Sequence, residues 1–381
     1  MKFIHTSDWH IGRQLHNHSL LDDQIYVFQQ IIELAAKHQV DAVIIAGDIY
    51  DRSVPPSSAI TVLDDVLHQL INRLNIAVIM IAGNHDSHER LGFAAKHMKQ
   101  NGLHIVGPLT HDLEVIKLEG KTGTAVFYPI PYAEPARVRQ VFKCDATTHE
   151  QAMSVLLEQV HKDDTHDLPK VVISHCFLDG SSDSESERPL SIGGADKISP
   201  ELFMPFDYVA LGHLHGPQFK GDGHVRYSGS PLKYSFSEAK HNKSVTLVEF
   251  NQAADKPKIE LLPLASKRNV RVIEGYLEQI LTDAKADAND QDYIMVRLLD
   301  KHAILDAMGK LRSAYPNVLH LERTGLMAES KHSEIRKQHI KQNEMDMFSS
   351  FFSQTTGEVL TPQQTQAMTA LLDSLHKQKE N

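Results

Sequence analysis

Cysteine is nearly missing from this chain: Cys144 and Cys176 are its only two. Two cannot build a disulfide framework, and they fit a reducing compartment. Long apolar runs are missing as well. No stretch approaches the ~20 residues of a membrane span, so no membrane association is expected. Met1-Lys2 lead directly into a short strand-like segment, without a signal peptide's apolar region and cleavage site, so a cytoplasmic location is expected. A basic surplus is also lacking. Lys and Arg number 39 against 49 Asp and Glu, a net charge of −10. That argues against a chain coated in basic residues for nucleic acid, although metal ions and a partner subunit can supply positive charge locally. What is abundant is histidine, 24 in 381 residues. The surplus weakens the case for any single histidine, so position has to decide. A chain of this length is expected to form two or three domains.

Position does decide. "KFIHTSDWH" is an apolar strand ending in Asp8-x-His10, and "DAVIIAGDIYD" one ending in Gly47-Asp48. "IAVIMIAGNHD" ends in Asn84-His85, "KVVISHCF" in Ser174-His175, and "FDYVALGHLHGPQ" in Gly212-His213-x-His215. Between the first three lie stretches with helical spacing. In the first, Leu21, Ile25, Phe28, Ile32 and Ala35 recur every three to four residues, and "SSAITVLDDVLHQLINRL" behaves likewise. Alternating strands and helices predict βαβ units, whose parallel strands present their carboxyl ends at one sheet edge. Asp8, His10, Asp48, Asn84, His175, His213 and His215 would meet there. This set of nitrogen and oxygen donors without thiolate suits manganese, iron or zinc in a two-metal site, with Asp48 placed to bridge. Taken singly, Asp-x-His or Gly-Asp is usually a turn or a cap, and paired histidines can simply be solvated. Five strand ends carrying ligand types in this order are not a chance set.

The ordered motifs D-x-H, G-D-x-x-D, G-N-H-D, a strand-end H and G-H-x-H resemble the calcineurin-like binuclear metallophosphoesterase superfamily. "HTSDWHIGR", "AGDIYDRSVPPS", "AGNHDS", "DYVALGHLH" and "YSGSPLKYSFSE" are similar, more closely, to the SbcD family of nuclease subunits, with Trp9 and the last stretch narrowing the match. The resemblance implies a two-sheet αββα sandwich (class α/β) over residues 1–265, then a small α+β cap domain that helps hold DNA over 266–325. A linker would follow at 326–341, and a helical tail that docks on an SbcC-like coiled-coil ATPase at 342–381. It implies two divalent metal ions, manganese foremost. One would be held by Asp8, His10, Asp48 and His215, the other by Asp48, Asn84, His175 and His213. His85 matches the family's catalytic histidine and Asp86 the carboxylate that orients it, with Gly83 permitting the sharp turn.

The implied activity is 3′-to-5′ duplex exonuclease and single-strand or hairpin endonuclease action on DNA, in repair, recombination and replication. The implied assembly is a homodimer within a heterotetramer. A small-molecule phosphodiesterase or phosphatase on the same core, or an inactive scaffold, are the competing readings. Asp51 is expected to cap the helix near Pro55. The Ser- and acid-rich loop 179–194 is expected to be exposed, and Lys233, close to the ligand edge, either to contact a phosphate backbone or to belong to a hairpin with ordinary turn chemistry. Phe348, Phe351, Phe352, Met368, Leu371, Leu372 and Leu375 give the tail an apolar surface suited to a partner.

Overall fold

The computed structural model describes residues 1–162, 168–190, 196–251, 256–325, 348–349, 352–353 and 359–379. The expected linker lies outside them, as do Phe351 and the side chains of Leu372 and Leu375.

Strands Lys2–Thr6, Ala42–Ile45, Ala77–Ile81 and Leu103–Val106 run parallel and adjacent in a six-stranded sheet. Their near-continuous apolar sequences, "AVII" and "AVIMI", follow from burial on both faces. Ser244–Glu249 and Lys258–Pro263 add antiparallel at the Lys2–Thr6 side. From sequence alone, "KSVTLVEF" and "KIELLPLA" read as alternating strands that finish a second sheet. They extend the first instead, because Lys2 to His5 pair with Glu249 to Thr246. The second sheet runs in the order Gln218–Lys220, Val225–Tyr227, Tyr208–Gly212, Lys170–His175, Gly123–Ile130, Ile116–Gly120, and its middle four strands are parallel.

The sheets face each other across a core that includes Phe3, Ile44, Ile79, Phe127, Ile173 and Tyr208. Phe3 meets Phe127 and Tyr208 edge-on at 5.5 and 5.7 Å. Burying such a side chain is worth about 2–3 kcal/mol. His5 lies in the same layer. Its Nδ1 accepts from the Tyr208 hydroxyl at 2.9 Å and its Nε2–H donates to the Leu211 carbonyl at 3.2 Å. Helix His149–His161 covers the second sheet's other face, with Leu156, Leu157 and Val160 in its core.

Helix Leu21–His38 buries Val27, Phe28, Ile31, Ile32 and Ala35. Phe28, Ile32 and Ala35 are buried as expected, but Ile25 is 47% exposed, whereas Asp23 and Gln24 are buried. Polar demand from the neighbouring loop overrides hydrophobic periodicity there. A second helix, Ser57–Leu67, continues in π form to Arg73.

The chain divides into two compact units, Met1–Val272 with Asn289–Met295, and Ile273–Ala288 with Val296–Asn381. A three-stranded sheet is formed by Val270–Gly275, Tyr293–Leu298 and Val318–Glu322, in that order. Helices Leu277–Asp283 and Ala307–Ala314 accompany it. The latter starts at Ala307 because Asp306 caps it, accepting from the Gly309 N–H at 3.1 Å. Helix Pro362–Lys379 lies further along the chain. No helix among the described residues is long and apolar enough to cross a membrane.

Candidate metal centre

The five strand ends come together, though not from one sheet. Three belong to the first sheet and two, those of His175 and Gly212, to the second. Asp8, His10, Asp48 and His213 all hold positive φ, at 54°, 43°, 50° and 104°. Side chains rarely adopt that conformation, and it persists only where surroundings enforce it. Enforcement is visible here. Asp8 N–H donates to the Gly47 carbonyl at 3.1 Å and His10 N–H to that of Asp48 at 3.0 Å. Gln24 Nε2 donates to the carbonyls of Trp9 and His10 at 3.0 and 2.8 Å, which explains its burial.

Asp48 is central. Its Oδ2 lies 3.6 Å from His10 Nε2, 3.5 Å from His175 Nε2 and 4.0 Å from His85 Nε2. Asp8, His10 and His215 form one group of converging donors, and Asp8, Asp48 and His175 another. A third comprises His10, Asp51 and His85. Asn84 joins through its Oδ1, 2.9 Å from His175 Nε2. His213 stands beside His175 with ring centroids 5.4 Å apart, and its backbone N–H donates to Asp8 Oδ1 at 2.9 Å.

The proton arithmetic calls for a cation. His175 Nδ1 faces the Ala46 carbonyl at 2.9 Å, which can only accept. Its proton is therefore on Nδ1, and the Nε2 lone pair meets the lone pairs of Asn84 Oδ1. His10 Nε2 and His215 Nε2 also face each other, at 3.1 Å, while buried His10 Nδ1 has no partner. Either His10 tautomer leaves an atom unsatisfied. Burial, and then the Asp48 carboxylate, push the Asp8 carboxyl well up. Burial, and then neighbouring imidazoles, hold His10 and His213 well below their ordinary value. A buried nest of neutral imidazoles and reluctant carboxylates lacks positive charge, and divalent cations fit it.

The calcineurin-like phosphoesterase family model matches residues 1–217. A second family model, described as a type 5 capsule protein repressor C-terminal domain, matches residues 266–356. The SbcD component of the nuclease SbcCD from Staphylococcus epidermidis is 35% identical over 377 residues, 98% of each chain. The chain belongs to the SbcD family. The namesake from Staphylococcus saprophyticus subsp. saprophyticus is also 35% identical, over 98% of this chain and 99% of that one. Among solved structures, a dimetal phosphatase from Danio rerio is 12% identical, with a TM-score of 0.41 over 69% of this chain and 96% of that one. That likeness is too distant to bear on substrate. Membership makes this SbcD-family chain a nuclease of metallophosphoesterase type, a phosphodiester hydrolase that binds divalent metal.

Three expectations about its site change. Asp86 does not orient His85. Its carboxylate accepts the backbone N–H groups of Ile49, Tyr50 and Gly83 at 3.0, 2.9 and 2.9 Å, stitching two strand ends together. Burial and the Asp48 carboxylate push its carboxyl up to about 7. The backbone carbonyl of Asp51 faces His85 Nδ1 instead, at 2.8 Å. Asp51 is therefore part of the site and not a cap: the helix begins at Ser57, and the Asp51 side chain pairs with Arg13 at 3.0 Å. Gly83 was expected to permit the sharp turn, and its φ there is not positive. It is needed because a Cβ there would overlap the Asp48 carboxylate.

Other residues went unread. Buried Glu238, Lys243 and Ser186 stand behind His215. Only "YSGSPLKYSFSE" hinted at Glu238. Ser186 and Glu187 lie in the loop expected to be exposed, yet Glu187 Oε1 accepts the His215 backbone N–H at 2.7 Å. Lys233 is engaged with the Ala239 carbonyl at 2.6 Å rather than free for phosphate. Trp9 is fully buried, stacked on Phe28 at 4.4 Å. Burial raises the Cys176 thiol to about 12, so it is inert.

Proposed function

We propose that the chain is a two-metal DNA nuclease, with manganese as the working ion. One ion would be held by Asp8, His10, Asp48 and His215, the other by Asp48, Asn84, His175 and His213. The observation that carries this reading is Asp48 Oδ2, set between His10 Nε2 at 3.6 Å and His175 Nε2 at 3.5 Å. Two divalent cations supply charge to neutralise a phosphodiester and make water acidic enough to attack near neutral pH. Asp8 and Asp48 contribute negative charge, and Asn84 a ligand without charge. His85 donates Nδ1–H to the Asp51 carbonyl, which leaves Nε2 as the atom that faces substrate. There an imidazolium stabilises phosphate charge and protonates the departing sugar oxygen.

The DNA specificity follows the end-to-end likeness to the SbcD components of SbcCD nucleases. It extends to 3′-to-5′ duplex exonuclease and single-strand or hairpin endonuclease activity in DNA repair, recombination and replication. The same likeness supports a coiled-coil ATPase partner of SbcC type, a homodimer within a heterotetramer, and a cytoplasmic setting. Residues 266–325 would act as the DNA-holding cap, 326–341 as linker and 342–381 as the ATPase-docking segment.

Purified protein with manganese, assayed on linear duplex, hairpin and single-stranded DNA beside a generic phosphodiester, tests the reading. DNA cleavage is expected, and hydrolysis of the ester alone would favour a small-molecule phosphodiesterase. Deleting 340–381 is expected to leave single-strand cleavage and the thermal midpoint little changed, while ending co-purification with the ATPase. A markedly lower midpoint would assign the tail to its own chain's core.

A further inference from the structure

Behind His215, away from Asp48, lies a closed set of polar groups that the proposed chemistry does not use. Glu238 has no exposed surface, and the Lys243 side chain is 2% exposed. Lys243 Nζ has three protons and three acceptors: Glu238 Oε2 at 2.5 Å, Ser230 Oγ at 2.8 Å and the His215 carbonyl at 2.8 Å. Glu238 Oε1 accepts from the Ser186 hydroxyl at 2.5 Å and from the Tyr234 backbone N–H at 3.2 Å. Ser186 Oγ in turn lies 2.7 Å from His215 Nδ1.

Lys243 Nζ sits 2.5 Å from Glu238 Oε2 with both side chains out of solvent, so the two form a buried ion pair. Ionised Glu238 can only accept, so the Ser186 proton points to it. The His215 Nδ1–H then faces two acceptors, Ser186 Oγ at 2.7 Å and Glu238 Oε1 at 3.2 Å, while Ser184 Oγ lies 2.9 Å from Ser186 Oγ. That leaves the His215 Nε2 lone pair aimed at the centre, where His10 Nε2 lies 3.1 Å away. Glu187, one residue on, receives the His215 backbone N–H, so the loop grips both ends of this residue. Arg13, which pairs with Asp51, also donates to the Ser186 carbonyl at 3.2 Å.

We propose that Glu238 and Ser186 are positioning residues. They form a relay, Lys243–Glu238–Ser186–His215, that fixes His215 as an Nε2 metal ligand. The Ser184–Glu187 stretch thereby becomes a strap that completes one metal site. The inference rests on the two-metal reading above. Groups behind ligating histidines typically matter by 10–100-fold in metal affinity.

Metal-free wild type, Ser186→Ala and Glu238→Gln are titrated with manganese, counting free ion by electron paramagnetic resonance. The His215 tautomer is read from nitrogen shifts, assigned by the signals lost in His215→Gln. Wild type is expected to bind two ions with the His215 proton on Nδ1. Both variants are expected to weaken one ion by roughly 10–100-fold, spare the other, and lose the fixed tautomer. Glu238→Gln leaves Lys243 without its counter-charge and can unfold. Ser186→Ala removes only a hydroxyl, so it carries the decision. Two ions bound at wild-type affinity by Ser186→Ala, or a His215 proton on Nε2 in wild type, would overturn the relay. A wild type that binds no manganese would instead overturn the metal reading beneath it.

Discussion

Asp86 and His85 are adjacent in sequence yet do different work, and the difference can be measured. Asp86 accepts three backbone N–H groups, from Ile49, Tyr50 and Gly83, and so shapes the loop that carries Asp48. Asp86→Asn puts an amide NH₂ against some of those donors, at a cost of about 2–4 kcal/mol. Urea denaturation should show that loss, with manganese affinity falling alongside it. An Asp86→Asn protein of wild-type stability that merely cleaved slowly would return Asp86 to the orienting role. The sequence allowed the misreading because Asn-His-Asp puts the carboxylate next door. Which backbone groups are left without partners depends on a strand separated from it by helix Ser57–Leu67.

At the level of elements, the strands that carry the candidate ligands were legible, because each is an apolar run stopped abruptly by ligand-type residues. Their distribution over two sheets was not, since a strand's own residues do not name its neighbour. Nor was the strap at Ser184–Glu187, whose Ser- and acid-rich composition is that of a solvated loop. Glycines behave similarly: their spacing marks strand ends but not the reason for each. Gly83→Ala carries no left-handed penalty, yet its Cβ would overlap Asp48, so manganese affinity should fall more than tenfold. Gly102 has φ +84° and only ordinary contact around a Cβ, with Ala77 Cα at 3.8 Å. Gly102→Ala should therefore cost about 1–2 kcal/mol of stability and leave manganese affinity unchanged. Calorimetry of both variants checks the contrast, and an unaltered affinity in Gly83→Ala would contradict the packing argument.

Across the whole molecule, the sandwich core itself should confer a pH dependence. His5 is buried between the sheets, and burial pulls its pKa from 6.5 to about 3. In that interval the unfolded chain binds a proton that the folded chain does not. Stability therefore rises with pH through the window, is complete above it, and is lost as pH falls towards 3. His5→Gln should flatten the urea midpoint against pH, removing up to ~1.4 kcal/mol per pH unit of slope. Equal slopes for both proteins would place a charged His5 in the core.

The central claim is that the joined strand ends hold two divalent cations while His85 serves the substrate alone. Metal content and DNA cleavage of His85→Ala and Asp48→Ala, measured side by side, test it most directly. His85→Ala should keep two manganese ions per chain and lose cleavage by at least ~10²-fold. Asp48→Ala should lose both, because the carboxylate set between His10 and His175 is gone. Since His85, His10 and Asp51 also form a group whose donor atoms could share an ion, the contrary result is well defined. Equal metal loss in the two variants would make His85 a ligand and contradict the account.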